Sequence, residues 1–377
     1  MFKFPQPKNL ALRLSIESPM LCFRHWDLKA REQANLVVDD NEYICEEKLD
    51  GARTLICYHP EEGFSFFSRN LEVKYFLPND FTQNILLIKN GIVTKPVDWV
   101  GKFKKSFMLD SEVLISGNID TSLYSKGGVE TGSELNATTA LLSINAEAAH
   151  DIQLTQAQLR FVIFDIIWFG DTEYAKQPLR NRKAALEKLI PQFPAEVPVE
   201  LNKWVAKDKE QFFQDILARG GEGVVFKHLD KPYLTTESKP RDVQIKRKRR
   251  VMTNGNEDID AFISGFIPAT EDKAWGEQGL IGALKLSAFV DGVETHIASV
   301  SGIPLQLRVC MSARDGNGKP CLNPEFMNKV CVVSGQDISN RSLRMTHANI
   351  DWSRGFRTDK TYLDCIVSRD ELLNQVF

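Results

Sequence analysis

The sequence predicts an α+β protein of two domains, residues 1–252 and 258–377, the second a small β-barrel. Three observations carry that prediction. A chain of 377 residues exceeds one ordinary domain, and each of two would be large enough to bury a core. The run Thr253-Asn254-Gly255-Asn256-Glu257-Asp258 is polar and rich in breakers, which marks a linker over residues 251–258. Upstream of it, strand-like runs are mixed with helix signatures, whereas downstream almost every periodic segment is a strand.

Residues 1–40 read as a leading segment packed under the first sheet. Then Tyr43-Ile44-Cys45 leads into Glu47-Lys48-Leu49-Asp50-Gly51-Ala52-Arg53, and Thr54 to Tyr58 leads out. Both flanks carry the β-branched and aromatic enrichment of strands, so the polar motif sits on the turn between them. A lysine amine becomes a good nucleophile when neighbouring cations or desolvation lower its pKa, and Arg53 and later lysines are candidates for that effect on Lys48. Asp50 can orient a group or accept a proton, and Gly51 lets backbone approach a ligand closely.

Phe64 to Asn70 alternates like a strand with an exposed polar tip, where Arg69 can meet a phosphate or simply face solvent. Asn90-Gly91 marks a turn. In Ser106 to Ile115, Asp110 and Glu112 stand at i and i+2 of an apolar strand and so share a face. Two such acids need a metal, a cation or a sugar hydroxyl, and a structural ion pair is the plain alternative. Residues 116–158, with Lys126-Gly127-Gly128 near the middle, read as a long surface excursion holding a short helix.

Leu159 to Trp168 is nearly continuous in apolar residues, a strand buried on both faces. Pro178 opens an amphipathic helix from Leu179 to Ile190, and Asp208 caps a second from Lys209 to Arg219, stopped by Gly220-Gly221. Glu222 to Lys227 is a strand with an acid at its mouth, followed by a turn at Lys231-Pro232-Tyr233. In Val243 to Lys248, Lys246 and Lys248 share one strand face and repel unless an anion such as a triphosphate lies between them.

Beyond the linker, strands are expected at 261–266, 280–290, 293–300, 330–334 and 361–367, with a hairpin at Asp291-Gly292 and a short helix over 324–329. Five or so strands and one helix in such a length fit a barrel of the OB type. Arg354 to Lys360 forms a dense polar cluster before the last strand.

Composition excludes several classes. No run approaches 18 apolar residues and Met1 to Asn9 has no apolar core, so neither a membrane span nor a secretory signal is expected. Seven cysteines form no C-x-x-C pair and are odd in number, against both a disulfide framework and a structural zinc site. A reducing, cytoplasmic setting and a monomer are the default. A net charge of −3 means that any nucleic acid must be met by localised positive charge, such as Gly101 to Lys105 or Lys246 to Arg250.

The ordered series K-L-D-G-A-R (48–53), S-R-N (68–70), L-D-S-E-V-L (109–114), F-D-I-I-W (164–168), E-G-V-V-F-K (222–227), Q-I-K-R-K (244–248) and R-T-D-K (357–360) resembles the ATP-dependent DNA ligases. The resemblance runs from about residue 20 to the last strand. It implies a nucleotidyltransferase domain, with ATP-grasp-like antiparallel sheets and helices, followed by an OB domain. It also implies ATP and Mg²⁺ as cofactors, nicked duplex DNA as partner, and roles in replication, repair and recombination. Lys48 would take AMP from ATP, the AMP would pass to a DNA 5′-phosphate, and the 3′-hydroxyl would then seal the nick.

In that family pattern, Lys246 and Lys248 neutralise the α-phosphate and hold Lys48 deprotonated. Glu112 and Glu222 serve the metal and the ribose, and Phe164 stacks on adenine. Glu47, Arg53, Arg69 and Lys227 serve the nucleotide or the nick phosphate, and Asp50 stands near the attacking hydroxyl. Arg357, Asp359 and Lys360 orient pyrophosphate, with residues 251–258 as hinge. Two departures are visible: Ser111 where a glycine often separates the two acids, and Gln244 where an aromatic often precedes the paired lysines. With Lys48 so near the start, the chain resembles the compact viral and bacterial type that lacks an upstream DNA-binding domain. The rivals are an mRNA capping guanylyltransferase, an RNA ligase, and a catalytically inactive OB-fold nucleic-acid binder.

Overall fold

In the computed structural model of the chain, the strands on either side of Lys48 form, but they belong to different sheets. Described are residues 7–71, 77–116, 134–236, 239–248, 259–269, 276, 278–335, 337–338, 342–346, 348–350 and 352–373. The chain divides into two compact units, Met1–Arg247 and Lys248–Phe377. The linker expected over 251–258, and with it the boundaries at 252 and 258, lies outside the described residues.

The strands of the first unit are β1 (Phe23–Arg24), β2 (Tyr43–Lys48), β3 (Ala52–His59), β4 (Gly63–Leu71), β5 (Pro78–Asp80), β6 (Leu87–Lys89) and β7 (Ile92–Thr94). They continue with β8 (Phe107–Ser116), β9 (Gln158–Phe169), β10 (Val199–Leu201), β11 (Trp204–Val205), β12 (Gly223–His228) and β13 (Gln244–Lys248). One sheet runs β1-β13-β12-β2-β11 and the other β10-β9-β8-β3-β4-β5, so Leu49 to Gly51 carries the chain from the first to the second. The Asn90-Gly91 turn closes the β6–β7 hairpin with φ of 53° and 78°, the left-handed geometry that asparagine and glycine tolerate.

Period-two alternation explains why the two sheets stack. Along β3, Ile56 and Tyr58 enter one core with Phe66, Leu109 and Phe161, while Leu55 and Cys57 enter another with Met108, Ile167 and Tyr233. β9 is buried on both faces as expected, because it contributes to both cores. The helix after Pro178, α5 (Leu179–Leu189), covers the second sheet through Leu186 and Leu189. Helix α6 (Lys209–Ala218) covers the first through Phe213 and Ile216. Asp208 stands at its N-cap position, but with φ 51° and no side-chain cap bond.

The surface excursion needs correcting. Residues 117–133 lie outside the described residues, but Glu134–Ser143 (α3) and Ala146–Thr155 (α4) are two helices, not one. Leu141, Leu142, Ala149 and Ile152 are buried in the core of the second sheet. Small and polar residues dominate this stretch and hide the helical spacing of its few apolar anchors.

In the second unit, β14 (Ile259–Pro268), β15 (Ile281–Val290) and β16 (Val293–Val300) are antiparallel. Asp291 and Gly292, with φ 50° and 82°, make the expected tight hairpin. Val330–Ser334 joins β14 and then Asn349–Ile350, and Ile366–Val367 lies parallel to β15. The ladder among the described residues is a path from β16 to Asn349–Ile350, with Ile366–Val367 added beside β15. It is the strand-dominated second unit expected of an OB-like domain, without a closed ring of strands among those residues. The expected helix over 324–329 is a single turn at Pro324–Phe326, whereas a helix not foreseen spans Leu305–Met311. There Leu305, Leu307, Val309 and Met311 alternate as a strand would, which disguises it. Among the described residues, no helix is long and apolar enough to cross a membrane.

Candidate active site

A cavity of about 340 Å³ in the first unit is lined from both sheets. The first sheet supplies Glu47, Lys48, Lys227 and Lys246, and the second supplies Arg53, Arg69, Glu112 and Phe164. These are residues from seven separate strands, brought together because the chain changes sheets directly after Lys48. The crossing is tight. A Cβ on Gly51 would run into the Val113 carbonyl and stand 2.7 Å from Leu114 Cδ2, so only glycine lets the turn lie against β8.

Lys48 ends β2 directly opposite Gly223, and its Nζ forms an ion pair with the carboxylate of Glu222, the residue before β12. Burial pushes the Lys48 ammonium down, but Glu222 in contact and Glu112 nearby push harder the other way, so its pKa is raised. The expectation that Lys246 and Lys248 hold Lys48 deprotonated is therefore not met in this geometry. The carboxylate bonded to the amine dominates the charges around it.

Asp110 and Glu112 take different parts. Asp110 is fully buried and accepts from Arg53 Nε at 2.9 Å, Arg53 Nη2 at 2.6 Å and the Tyr233 hydroxyl at 2.7 Å. That is the structural ion pair the sequence left open. Arg53 also donates from Nη1 to the Met20 carbonyl at 2.8 Å, so it lines the cavity with its donors largely committed. Glu112 faces the cavity without a hydrogen bond or ion pair among the described residues. Burial lifts its carboxyl to about 7 against the pull of Lys48 and Arg53, with Glu222 and Asp110 adding to the rise.

The ring of Phe164 is flanked by cations, with Lys227 Nζ 4.7 Å and Arg53 Cζ 5.5 Å from its centroid. Lys227 is itself buried and paired with Glu46 Oε2 at 2.7 Å. Glu47 pairs with Arg219 at 2.6 Å. Asp50, Glu222 and Lys248 are not among the residues lining the cavity. Gln244 replaces packing with a bond, since its Nε2 donates to the Met20 carbonyl at 2.9 Å. Ser111 is accommodated by donating to the Thr54 carbonyl at 2.7 Å. Arg357 and Lys360 belong to the second unit, where both pair with Asp260 and Arg357 also with Asp359.

Sequence reasoning missed Glu46, Lys183, Tyr233 and Asn202. One signal was available. Lys183 falls with Leu179, Leu186 and Leu189 on the buried stripe of α5, an unusual place for a lysine without an acid to meet it. A metal has partial provision: among the described residues no group of three or more His, Cys, Asp or Glu side chains could hold one. Glu112 and Glu222 remain as hard oxygen donors near Lys48.

The ATP dependent DNA ligase domain family matches residues 19–248. The chain is 26% identical over 249 residues to DNA ligase 4 of Coccidioides immitis, covering 63% of this chain and 23% of that protein. It is 39% identical over 72 residues to a DNA ligase of Nanoarchaeum equitans, 19% of this chain and 13% of that one. A third relative, a DNA ligase of Saccharolobus solfataricus, is 24% identical over 225 residues, 59% of this chain and 33% of that protein. The chain thus spans a third or less of the length of these curated relatives. Among solved structures, a Lig E DNA ligase superposes with a TM-score of 0.54 at 16% identity, covering 88% of this chain and 97% of that one, a likeness of fold alone. With the family match extending over more than half of its length, the chain belongs to the ATP-dependent DNA ligase family.

Proposed function

We propose that this chain seals 3′-hydroxyl/5′-phosphate nicks in duplex DNA, using ATP through a covalent lysyl-AMP. The observation that carries the reading is Lys48 itself, the terminal residue of β2, lining a cavity between two sheets with an acid bonded to its amine. In the first step the Lys48 nitrogen attacks the α-phosphorus, a P–N bond forms, the bond to the β-phosphate oxygen breaks and pyrophosphate leaves. Before that the ammonium gives up a proton, and Glu222 is the acceptor bonded to it. AMP then passes to the 5′-phosphate of the nick, and the 3′-hydroxyl displaces it.

Phe164 is the stacking surface for adenine in this reading, and Lys227, Lys246 and Arg69 are cations for phosphate and nucleotide. Asp50 serves the attacking hydroxyl, and Lys248, Arg357 and Lys360 serve phosphate. Glu112 and Glu222 fit a Mg²⁺ ion held by two carboxylates and the phosphates, which suits an ion that keeps much of its shell in water and substrate. When bound, it would supply charge neutralisation to phosphoryl transfer.

The test is sealing of a nicked duplex by the purified protein with ATP and Mg²⁺, beside Lys48→Ala. Sealing by the parent protein alone supports the reading. A protein label from GTP and none from ATP would move it to a capping guanylyltransferase, and no label from either would leave a nucleic-acid binder.

A further inference from the structure

Behind Phe164 lies a buried group of three charges, Glu46, Lys183 and Lys227, of which only Lys227 belongs to a motif. Glu46, one residue before Glu47 in β2, borders the cavity and is 1% exposed. Its Oε2 lies 2.7 Å from Lys227 Nζ, and its Oε1 pairs with Lys183 from α5. Lys183 and Lys227 are 4% and 5% exposed, and both donate to the Phe164 carbonyl, at 3.0 and 3.4 Å. Two ammonium groups therefore share one carboxylate in a place where an uncompensated charge is costly.

The neighbouring ions do not absorb the surplus. Asp165 is taken up by Arg182, at 2.7 and 3.1 Å, and Asp110 by Arg53. Asn202, the other partner of Glu46, is neutral and donates at 3.4 Å. Of the two lysines, Lys227 lines the cavity and Lys183 does not. Of the two ammonium groups, only that of Lys227 borders the cavity, beside the Glu46 carboxylate that both share.

We propose that Lys183 is a positioning residue that sets the charge Lys227 presents to the nucleotide, by holding half of the Glu46 carboxylate. This rests on the ligase reading and deepens it at the Phe164 end of the cavity. Without Lys183, Glu46 and Lys227 become a self-neutralised pair, and the nucleotide loses a cation although Lys227 is still present. The two lysines also tie β2, β9, β12 and α5 together, so their loss is felt in binding before it is felt at the Lys48 amine.

The experiment is self-adenylylation of the full chain, with the rate followed against ATP concentration for the parent, Lys183→Met, Glu46→Gln and the double variant, and with melting curves in parallel. The net charge of the trio is +1 in the parent, 0 in Lys183→Met and again +1 in the double variant, from two lysines and one glutamate. The expected result is a KM for ATP raised roughly tenfold in Lys183→Met, the size of one charge-assisted contact, with the rate at saturating ATP within about threefold. The double variant should recover most of that KM, which restored packing alone cannot do. A KM within about twofold of the parent for Lys183→Met, or a double variant worse than it, overturns the proposal and leaves the ligase reading intact. Should Lys183→Met fail to fold, Glu46→Gln decides: a KM at or below the parent's supports the proposal and a raised one overturns it. A parent protein that takes no label from ATP overturns both readings.

Discussion

Lys48 and Glu222 meet across the antiparallel pair of β2 and β12, the lysine at the end of one strand and the acid at the mouth of the other. Register fixes the contact, because Lys48 lies opposite Gly223 and Glu222 is the next residue out. Its consequence is an amine held protonated, with its pKa raised by the carboxylate over the opposing effect of burial. Replacing Lys48 by Ala or Arg should therefore reduce label from radioactive ATP to background. The melting curve of the Arg variant, which keeps a cation for Glu222, should lie closer to the parent's than that of the Ala variant. Label that survives either substitution would assign the nucleophile to another residue.

The same contact predicts a pH dependence. An amine with a raised pKa becomes nucleophilic only as pH climbs, so the self-adenylylation rate should still be rising above neutrality. Glu222→Gln removes the charge that raises the Lys48 pKa, and its rising limb should move to lower pH, with a lower ceiling where the carboxylate also serves the metal. Rate profiles over the pH range settle the point, and a limb that stays in place would separate Glu222 from the protonation of Lys48.

Glu112 gives a stability prediction of the opposite kind. Its carboxyl titrates near 4.5 in the unfolded chain and at about 7 in the folded one, because burial disfavours the anion. Folding thus favours the protonated acid: its contribution is fully present below 4.5 and is lost as pH rises through about 7. Glu112→Gln imitates the protonated form. It should match the parent near pH 4 and be more stable at pH 8 by up to roughly 3 kcal/mol, the value of a rise from 4.5 to about 7. Thermal melts of both proteins at the two pH values check this, and Mg²⁺ with a non-hydrolysable ATP analogue should narrow the gap by stabilising the parent.

What the sequence made legible was what is local. Lys48, Asp50 and Gly51 are contiguous, and Asp110 and Glu112 are fixed on one strand by spacing, so their proximity follows without knowledge of the fold. The division of labour between Asp110 and Glu112 did not follow, because it depends on Arg53 and on Tyr233, which is distant in sequence. Glu46 and Lys183 were illegible for the same reason, since each alone reads as an ordinary polar residue. The change of sheet after Lys48 was hidden too: β2 and β3 have the same period and composition whether they pair with each other or not. In the second unit, the alternating apolar residues of Leu305–Met311 mimicked a strand and concealed a helix.

Gly51 tests the sheet change directly. Glycine is required there by the close approach of Val113 and Leu114 rather than by a turn conformation. Gly51→Ala should cost about 1–3 kcal/mol, as for other overpacked positions, because the clash is with the backbone of β8 and cannot be relieved by a rotamer. The loss of labelling should exceed what the loss of stability explains, since any shift moves Lys48 and Glu112 apart. Chemical denaturation measured beside single-turnover labelling separates the two effects, and an alanine variant of parental stability would show that the turn has room to spare.

The stretch from 116 to 158 divides into two parts with opposite predicted behaviour. Leu141, Leu142, Ala149 and Ile152 of α3 and α4 are buried against the second sheet, so removing residues 134–155 exposes a large apolar surface at about 25 cal/mol per Å² and should leave a chain that does not fold. The length of the stretch and its Lys126-Gly127-Gly128 motif suggest a contact with DNA, and the test of it is on residues 117–133, which include that motif. A short glycine-serine bridge in their place should preserve the melting transition and the labelling of Lys48, yet weaken binding to a nicked duplex and lower its salt dependence if Lys126 meets a phosphate. Binding isotherms at two salt concentrations make the measurement. Unchanged affinity and slope would return the whole stretch to a structural part, with its two helices acting as cover for the second sheet.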